Sequence, residues 1–277
     1  MNKPSVLRRI LTTDLPVLLI VLLALGPFAW LVLTSLTPSA QIAQSGVSVS
    51  PSGWGVDNYV RLLRQTSFVA NMGHSLIVAL GTVVLGLTVS VTAAYAFSRF
   101  RFAGRRLIML QFLLVNMFPV VLLILPLFIL MRRLGLLDTH LSLILANATV
   151  AIPFAVWMLT SYVGAIPKSL DEAAMIDGCS RLMALRRVVL PLAMPGIIST
   201  GIYIFITAWN EYLYALTLGG RTVRTVTVAI QTLIGEYQIE WGLLAAGGVV
   251  GALPATLLFL IVQRRLIGGL TQGAVKG

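Results

Sequence analysis

Acidic residues are scarce in this chain, and the scarcity decides much of what it can be. Only nine aspartates and glutamates are spread over 277 residues, and charges of both signs make up 10%. A soluble domain carries about a quarter charged residues, so a soluble globular fold is excluded. Cys179 is the only cysteine, so no disulfide can form within the chain. The two histidines, His74 and His140, stand alone with no H-E-x-x-H spacing, which leaves zinc catalysis without ligands. None of the three lysines, Lys3, Lys168 and Lys276, follows a glycine. A phosphate-cradling G-x-x-x-x-G-K-[ST] loop is therefore impossible, and any ATP hydrolysis that drives this protein belongs to another chain. There is no G-x-S-x-G nucleophile turn either. No catalytic residue and no metal site are expected.

What fills the chain is apolar: 58% of it is hydrophobic, and uncharged windows run over 15–56, 65–98, 107–131, 139–167, 188–210 and 241–263. A helix needs about 20 residues to cross roughly 30 Å of hydrocarbon. The windows predict an all-α membrane protein with six transmembrane helices, near 15–36, 75–97, 107–130, 142–163, 194–214 and 243–263. The first apolar run, Leu15 to Leu36, exceeds the h-region of a cleaved signal peptide and is expected as a retained span. With the N-terminus inside, 14 of the 20 basic residues fall on inner segments and six on outer ones. This bias predicts that both termini are cytoplasmic. The net charge of +11 thus reports topology, and nucleic acid is not an expected partner.

Segment 37–70 is the longest outer connection, marked as loop by Pro38, Gly46, Pro51, Gly53 and Gly55, with a short interfacial helix expected from Asp57 to Arg64. Gly81 and Gly86, and Gly247 and Gly251, offer small surface for close helix packing. Among the acids only Glu211, in the outer half of the fifth span, comes close to a buried group near the midplane, too little for a proton relay. A secondary carrier or intramembrane enzyme is the weaker alternative to a passive pathway driven from outside.

The inner connection 164–191, GAIPKSLDEAAMIDGCSRLMALRRVVLP, is too patterned for a linker. Ser169 and Glu172 have capping-box spacing, which predicts a short helix from Leu170. Leu170, Ala173 and Ala174 would share a small apolar face, with Asp171, Glu172 and Asp177 displayed. Gly178 would end this helix in the left-handed conformation. Ser180 would cap a second helix, aligning Leu182, Leu185 and Val189, with Arg186 and Arg187 toward headgroups. An acidic, alanine-faced knob suits a protein groove better than an anionic lipid surface.

Glu172-Ala173-Ala174, then Gly178, then Val188-x-Leu190-Pro191 resembles the E-A-A-x-x-x-G-x(9)-I-x-L-P loop of permease subunits of bacterial ABC importers, with Val188 in place of Ile. Tyr95 to Arg106 (YAFSRFRFAGRR), Ala208 to Tyr212 (AWNEY) and the tail Gly269 to Gly277 (GLTQGAVKG) are similar to carbohydrate importers, most of all the smaller (MalG-like) permease of maltose-type systems. The resemblance implies a type I ABC importer (MetI-like) permease fold in the bacterial inner membrane. It implies that Glu172, Ala173, Ala174, Gly178, Leu190 and Pro191 couple the chain to a separate ABC ATPase dimer, which carries the ATP and Mg. It further implies a second, MalF-like permease, and a sugar-binding protein meeting the outer loop 219–242. The tail 264–277 would reach the ATPases. Trp209, Asn210, Glu211 and Tyr212 are expected along the substrate pathway, rings stacking on sugar faces and polar groups bonding hydroxyls. A permease for a polyol or glycerol phosphate is the alternative within the class.

Overall fold

The computed structural model describes residues 12, 14–235 and 239–274, those from 264 onward by backbone alone. The predicted inner charges Lys3, Arg8, Arg9 and Lys276, and Glu236 of the outer loop, lie outside the described residues; so do the side chains of the predicted tail. In chain order the helices are α1 (Leu15–Leu36), α2 (Ser39–Ser45), α3 (Asp57–Gln65), α4 (Phe68–Arg99), α5 (Arg105–Met117), α6 (Val120–Arg133), α7 (His140–Ala165), α8 (Lys168–Ile176), α9 (Arg181–Ala184), α10 (Met194–Trp209), α11 (Leu213–Leu218), α12 (Val226–Thr232) and α13 (Trp241–Ala274).

Helices α1, α4, α7 and the Trp241–Gln263 part of α13 are each long and apolar enough to cross a membrane. Two further spans result if each of two bent pairs counts as one: α5 with α6, bent by 99°, and Arg181–Leu192 with α10, bent by 80°. The expected straight span over 107–130 is therefore broken. Pro119 holds Phe118 in extended backbone (φ −74°, ψ 130°), because its ring clashes with a helical preceding residue.

The chain divides into two compact units. In the first, Met1–Val69 with Ile230–Ala252, α1 is almost bare, with 6% of its most apolar window buried. Its C-terminal end is gripped. Asn58 of α3 donates from Nδ2 to the carbonyls of Ser35 and Thr37, both at 2.9 Å, groups that a helix end leaves unpaired. The hydroxyls of Ser35 and Tyr59 meet at 2.6 Å. A Cβ on Gly242 would stand 2.5 Å from Asn58 Nδ2 and 2.7 Å from the Thr37 carbonyl, so no side chain fits there. Segment 37–70 holds more helix than its glycines and prolines predict: α2 as well as the expected α3. Arg61 and Glu240 form a two-pronged pair at 2.9 and 2.6 Å. That hydrogen bond, with the guanidinium charge, holds the Glu240 carboxyl below its ordinary range against a smaller effect of burial. Both side chains are partly exposed, and such pairs add little stability.

In the second unit, Ala70–Ala229 with Leu253–Gly277, α7 is the packing axis, with α10, α5, α6 and α11 against it. Gly81 of α4 admits the Ile144 side chain of α7, Gly86 admits Ile204 of α10, and Gly196 of α10 admits the Tyr162 ring of α7. A Cβ at any of the three would stand under 3.0 Å from its neighbour, so these glycines set the helix separations. His74 and His140, isolated in the sequence, are not isolated in the fold: Nδ1 of the first and Nε2 of the second share a hydrogen bond at 2.8 Å, joining α4 to the start of α7.

Candidate functional site

Segment 164–191 folds largely from its own local signals. Helix α8 begins at Lys168, with Pro167 at the N-cap (φ −56°, ψ 133°) and no side-chain cap. The predicted capping box is therefore not formed: the helix starts ahead of Leu170, which puts Ser169 inside its first turn. At the other end Gly178 takes φ +86°. Cys179 N–H donates to the Ala174 carbonyl at 3.0 Å, and Gly178 N–H to that of Met175 at 3.1 Å, the paired bonds of a Schellman turn. Ser180 Oγ then accepts from Met183 N–H at 3.3 Å, capping α9 as expected. A π turn at Leu185–Val189 and a last turn at Leu190–Leu192 carry the chain to the 80° bend. Leu182 does not join Leu185 and Val189 on one buried face. Those two are buried with Ala94, Tyr95, Leu159, Val163 and Ala193, whereas Leu182 is exposed. Leu190 is half-buried; Pro191, Arg186 and Arg187 are exposed.

The two alanines of the motif part company. Glu172, Ala173 and Ile176 face outward, while Asp171 and Ala174 are buried. Residues three and four apart share a helix face, which groups Glu172 and Ala173 with Ile176 and sets Asp171 with Ala174. Sequence reasoning missed Ile176, which is 86% exposed. It also placed Asp171 on the displayed knob. The structure turns Asp171 inward onto Arg99, with Nε to Oδ2 at 2.6 Å and Nη2 to Oδ1 at 3.4 Å.

The residues predicted along a pathway surround a break in the helix after Trp209. Both oxygens of Glu211 are taken by backbone N–H groups of the next helix, Oε1 by Tyr214 at 2.7 Å and Oε2 by Ala215 at 3.0 Å. Its carboxylate is a helix cap. Trp209 is buried with its ring stacked on Phe205, centroids 5.6 Å apart. Tyr212 is partly buried against the core around Tyr214, and Asn210 is exposed. The four residues are neighbours, but only Asn210 stands open to its surroundings.

Beyond α11 the chain is latched by Asp138, another residue sequence reasoning missed. Asp138 sits at φ +57°. Its Oδ1 accepts from Val223 N–H at 2.8 Å and its Oδ2 from Thr222 N–H at 3.0 Å, while its own N–H donates to the Leu218 carbonyl at 2.9 Å. A Cβ on Gly220 would meet that carboxyl at 2.7 Å. Burial pushes the Asp138 carboxyl up, but backbone N–H groups of Val223, Thr222 and Arg221 and the Thr222 side chain together hold it below its ordinary range. A depressed folded pKa means the latch is fully formed above the unfolded value of about 3.9. It is lost as pH falls through the lower folded value. Asp138→Asn is expected to lower amide-exchange protection of Thr222 and Val223 roughly tenfold at neutral pH. It should also leave their protection insensitive to acid. Unchanged protection in the variant counts against the latch.

Residues 83–271 match the family described as "Binding-protein-dependent transport system inner membrane component". The chain is 39% identical over 262 residues to the trehalose transport system permease protein SugB of Mycobacterium tuberculosis, covering 94% of this chain and 95% of that protein. It is 38% identical over 254 residues to the sulfoquinovosyl glycerol transport system permease protein SmoH of Agrobacterium fabrum, covering 91% and 89%. It is 36% identical over 279 residues to the trehalose/maltose transport system permease protein MalG of Thermococcus litoralis, covering 99% of each. A chain from the crystal structure of a bacterial ABC transporter that imports the acidic polysaccharide alginate superposes with a TM-score of 0.80 at 25% identity, over 95% of this chain and 99% of that one. The chain belongs to this family of inner-membrane permease components of binding-protein-dependent transporters. It is a transport subunit of the bacterial inner membrane, not an enzyme.

Proposed function

We propose that this permease forms half of the translocation pathway of an ATP-driven carbohydrate importer and receives its drive through the outward face of α8. The observation that carries the reading is the exposed trio Glu172, Ala173 and Ile176 on a helix capped by its own Schellman turn. Burying a side chain such as Ile176 contributes about 1.5–3 kcal/mol, Glu172 supplies a charge for a basic group of an ATPase, and Ala173 lets the two backbones approach. Gly178 sets the turn, and Leu190 with Pro191 leads into the bend. ATP and Mg stay on the ATPase dimer; this chain binds no cofactor of its own.

Both termini and segments 164–191 and 264–277 are cytoplasmic in this reading, with 37–70 and 219–242 outside. The Asp138 latch gives the outer loop a fixed entry for an extracytoplasmic binding protein. The nearly bare α1 favours a second permease beside it, since a few helices enclose a pathway poorly. Three relatives named above carry sugars or a sugar glycoside in their names, which favours a carbohydrate cargo. Asn210 faces that cargo, presented by the break that Glu211 caps.

Affinity purification through this chain in mild detergent tests the reading. The expected outcome is co-recovery of an ATPase dimer and a second permease, with ATP hydrolysis stimulated by the sugar-loaded binding protein. Recovery of this chain alone, in several gentle detergents and at low salt, overturns it.

A further inference from the structure

We infer that the buried Arg99–Asp171 pair is the strut through which displacement of α8 reaches the membrane spans. The inference rests on the reading that α8 docks on an ATPase.

Arg99 is the last residue of α4, and its guanidinium joins three elements. Nε and Nη2 reach both oxygens of Asp171, in the first turn of α8. Nη1 donates to the Val163 carbonyl at 3.2 Å, in the last turn of α7, where that oxygen also accepts from Ile166 N–H at 3.3 Å. The preceding residue adds a second tie, Ser98 Oγ to the Thr160 carbonyl at 3.2 Å. The two charged side chains are only 5% and 7% exposed. A planar fork with several fixed donors suits this junction, which a point charge on a flexible stem does not.

Only Ile166 and Pro167 separate α7 from α8. Without the strut, α8 is held through those two residues and its packing on the second half of the segment, and part of a push from outside is absorbed there. With it, α8 and the adjoining ends of α4 and α7 move as one body. The second half of the segment is held differently, by Leu185 and Val189 in the core around Tyr95 and by the Arg181 guanidinium 5.0 Å from the Phe100 ring centroid. Those contacts lie beyond the Gly178 turn; α8 packs against this second half, and Arg99 is its charged tie to the ends of α4 and α7.

The test uses the assembled transporter in proteoliposomes, with Arg99→Cys and Asp171→Cys combined in a Cys179→Ser background. In the reduced state ATPase retention and stimulated hydrolysis are expected to persist, while sugar moved per ATP falls roughly tenfold, as for loss of a link that carries coupling between sites. Bridging the two thiols with a short bifunctional thiosulfonate should restore the ratio, and reductant should abolish it again. A wild-type ratio in the reduced protein, or no recovery once the bridge is verified, overturns the strut. Should the double variant fail to assemble, Arg99→Lys decides. It keeps the charge without the fork, and a ratio lowered roughly threefold is expected; an unchanged ratio sinks the inference. Absence of ATPase from the wild-type preparation rejects the docking reading instead.

Discussion

Glu172→Lys is expected to strip the ATPase subunits from this permease while leaving the chain folded and inserted. Glu172 is exposed on α8, so its replacement leaves no buried partner behind. Within the helix, a cation in the N-terminal half opposes the macrodipole by about 0.3–1 kcal/mol, too little to unfold the segment. Across a docked interface the effect is larger. Reversing one charge of a close pair costs about 2–5 kcal/mol, which is roughly 30- to several-thousand-fold in affinity. Uptake should fall with ATPase retention, and Glu172→Gln should lie between. Co-purification separates the two effects: wild-type amounts of permease in the membrane with little bound ATPase is the expected result. Full retention and full uptake in Glu172→Lys would exclude this face as the docking surface.

The second large effect belongs to Gly178. A Cβ there would meet nothing within 4 Å, so any penalty is conformational. At φ +86° a non-glycine residue costs roughly 1–3 kcal/mol, and a β-branched one stands at the upper end. Asparagine tolerates the left-handed region. Uptake should therefore decline in the order Gly, Asn, Ala, Val, with Gly178→Val reduced roughly tenfold or more. The order distinguishes backbone strain from lost space: a purely steric effect would penalise Asn more than Ala. Equal uptake by all four proteins would mean that the turn can open without consequence.

The same segment shows what sequence reasoning reaches and where it stops. The Gly178 turn and the Ser180 cap were legible because the groups involved lie within a few residues of each other. The capping box failed because Pro167, adjacent to it, starts the helix early. Asp171 was misplaced because its partner lies 72 positions away, a distance no local pattern spans. One signal was available: Asp171 and Ala174 are three apart, so an alanine turned inward takes that aspartate with it. The motif's resemblance to importer permeases named the family without revealing that its two alanines face opposite ways.

Uncharged windows located α1, α4, α7 and the start of α13, since crossing hydrocarbon demands a length that such windows record. They did not reveal the break at Phe118–Pro119. Proline was no guide, because Pro27, Pro126, Pro153 and Pro254 all lie inside helices, where membrane helices tolerate them. Glu211 read as a polar group for sugar hydroxyls; the break that its carboxylate caps turns backbone amides toward it, and the chain consumes both oxygens.

The division of α8 into two faces has a further consequence. Residues that face outward, Glu172, Ala173 and Ile176, are separate from those turned onto the chain itself, Asp171 and Ala174. If the outer face docks on an ATPase as proposed, recognition and transmission are written on different letters of one short word. A lineage that changes its motor subunit can rewrite the outer letters and leave the inner ones untouched, and a designer building chimeric importers has the same freedom.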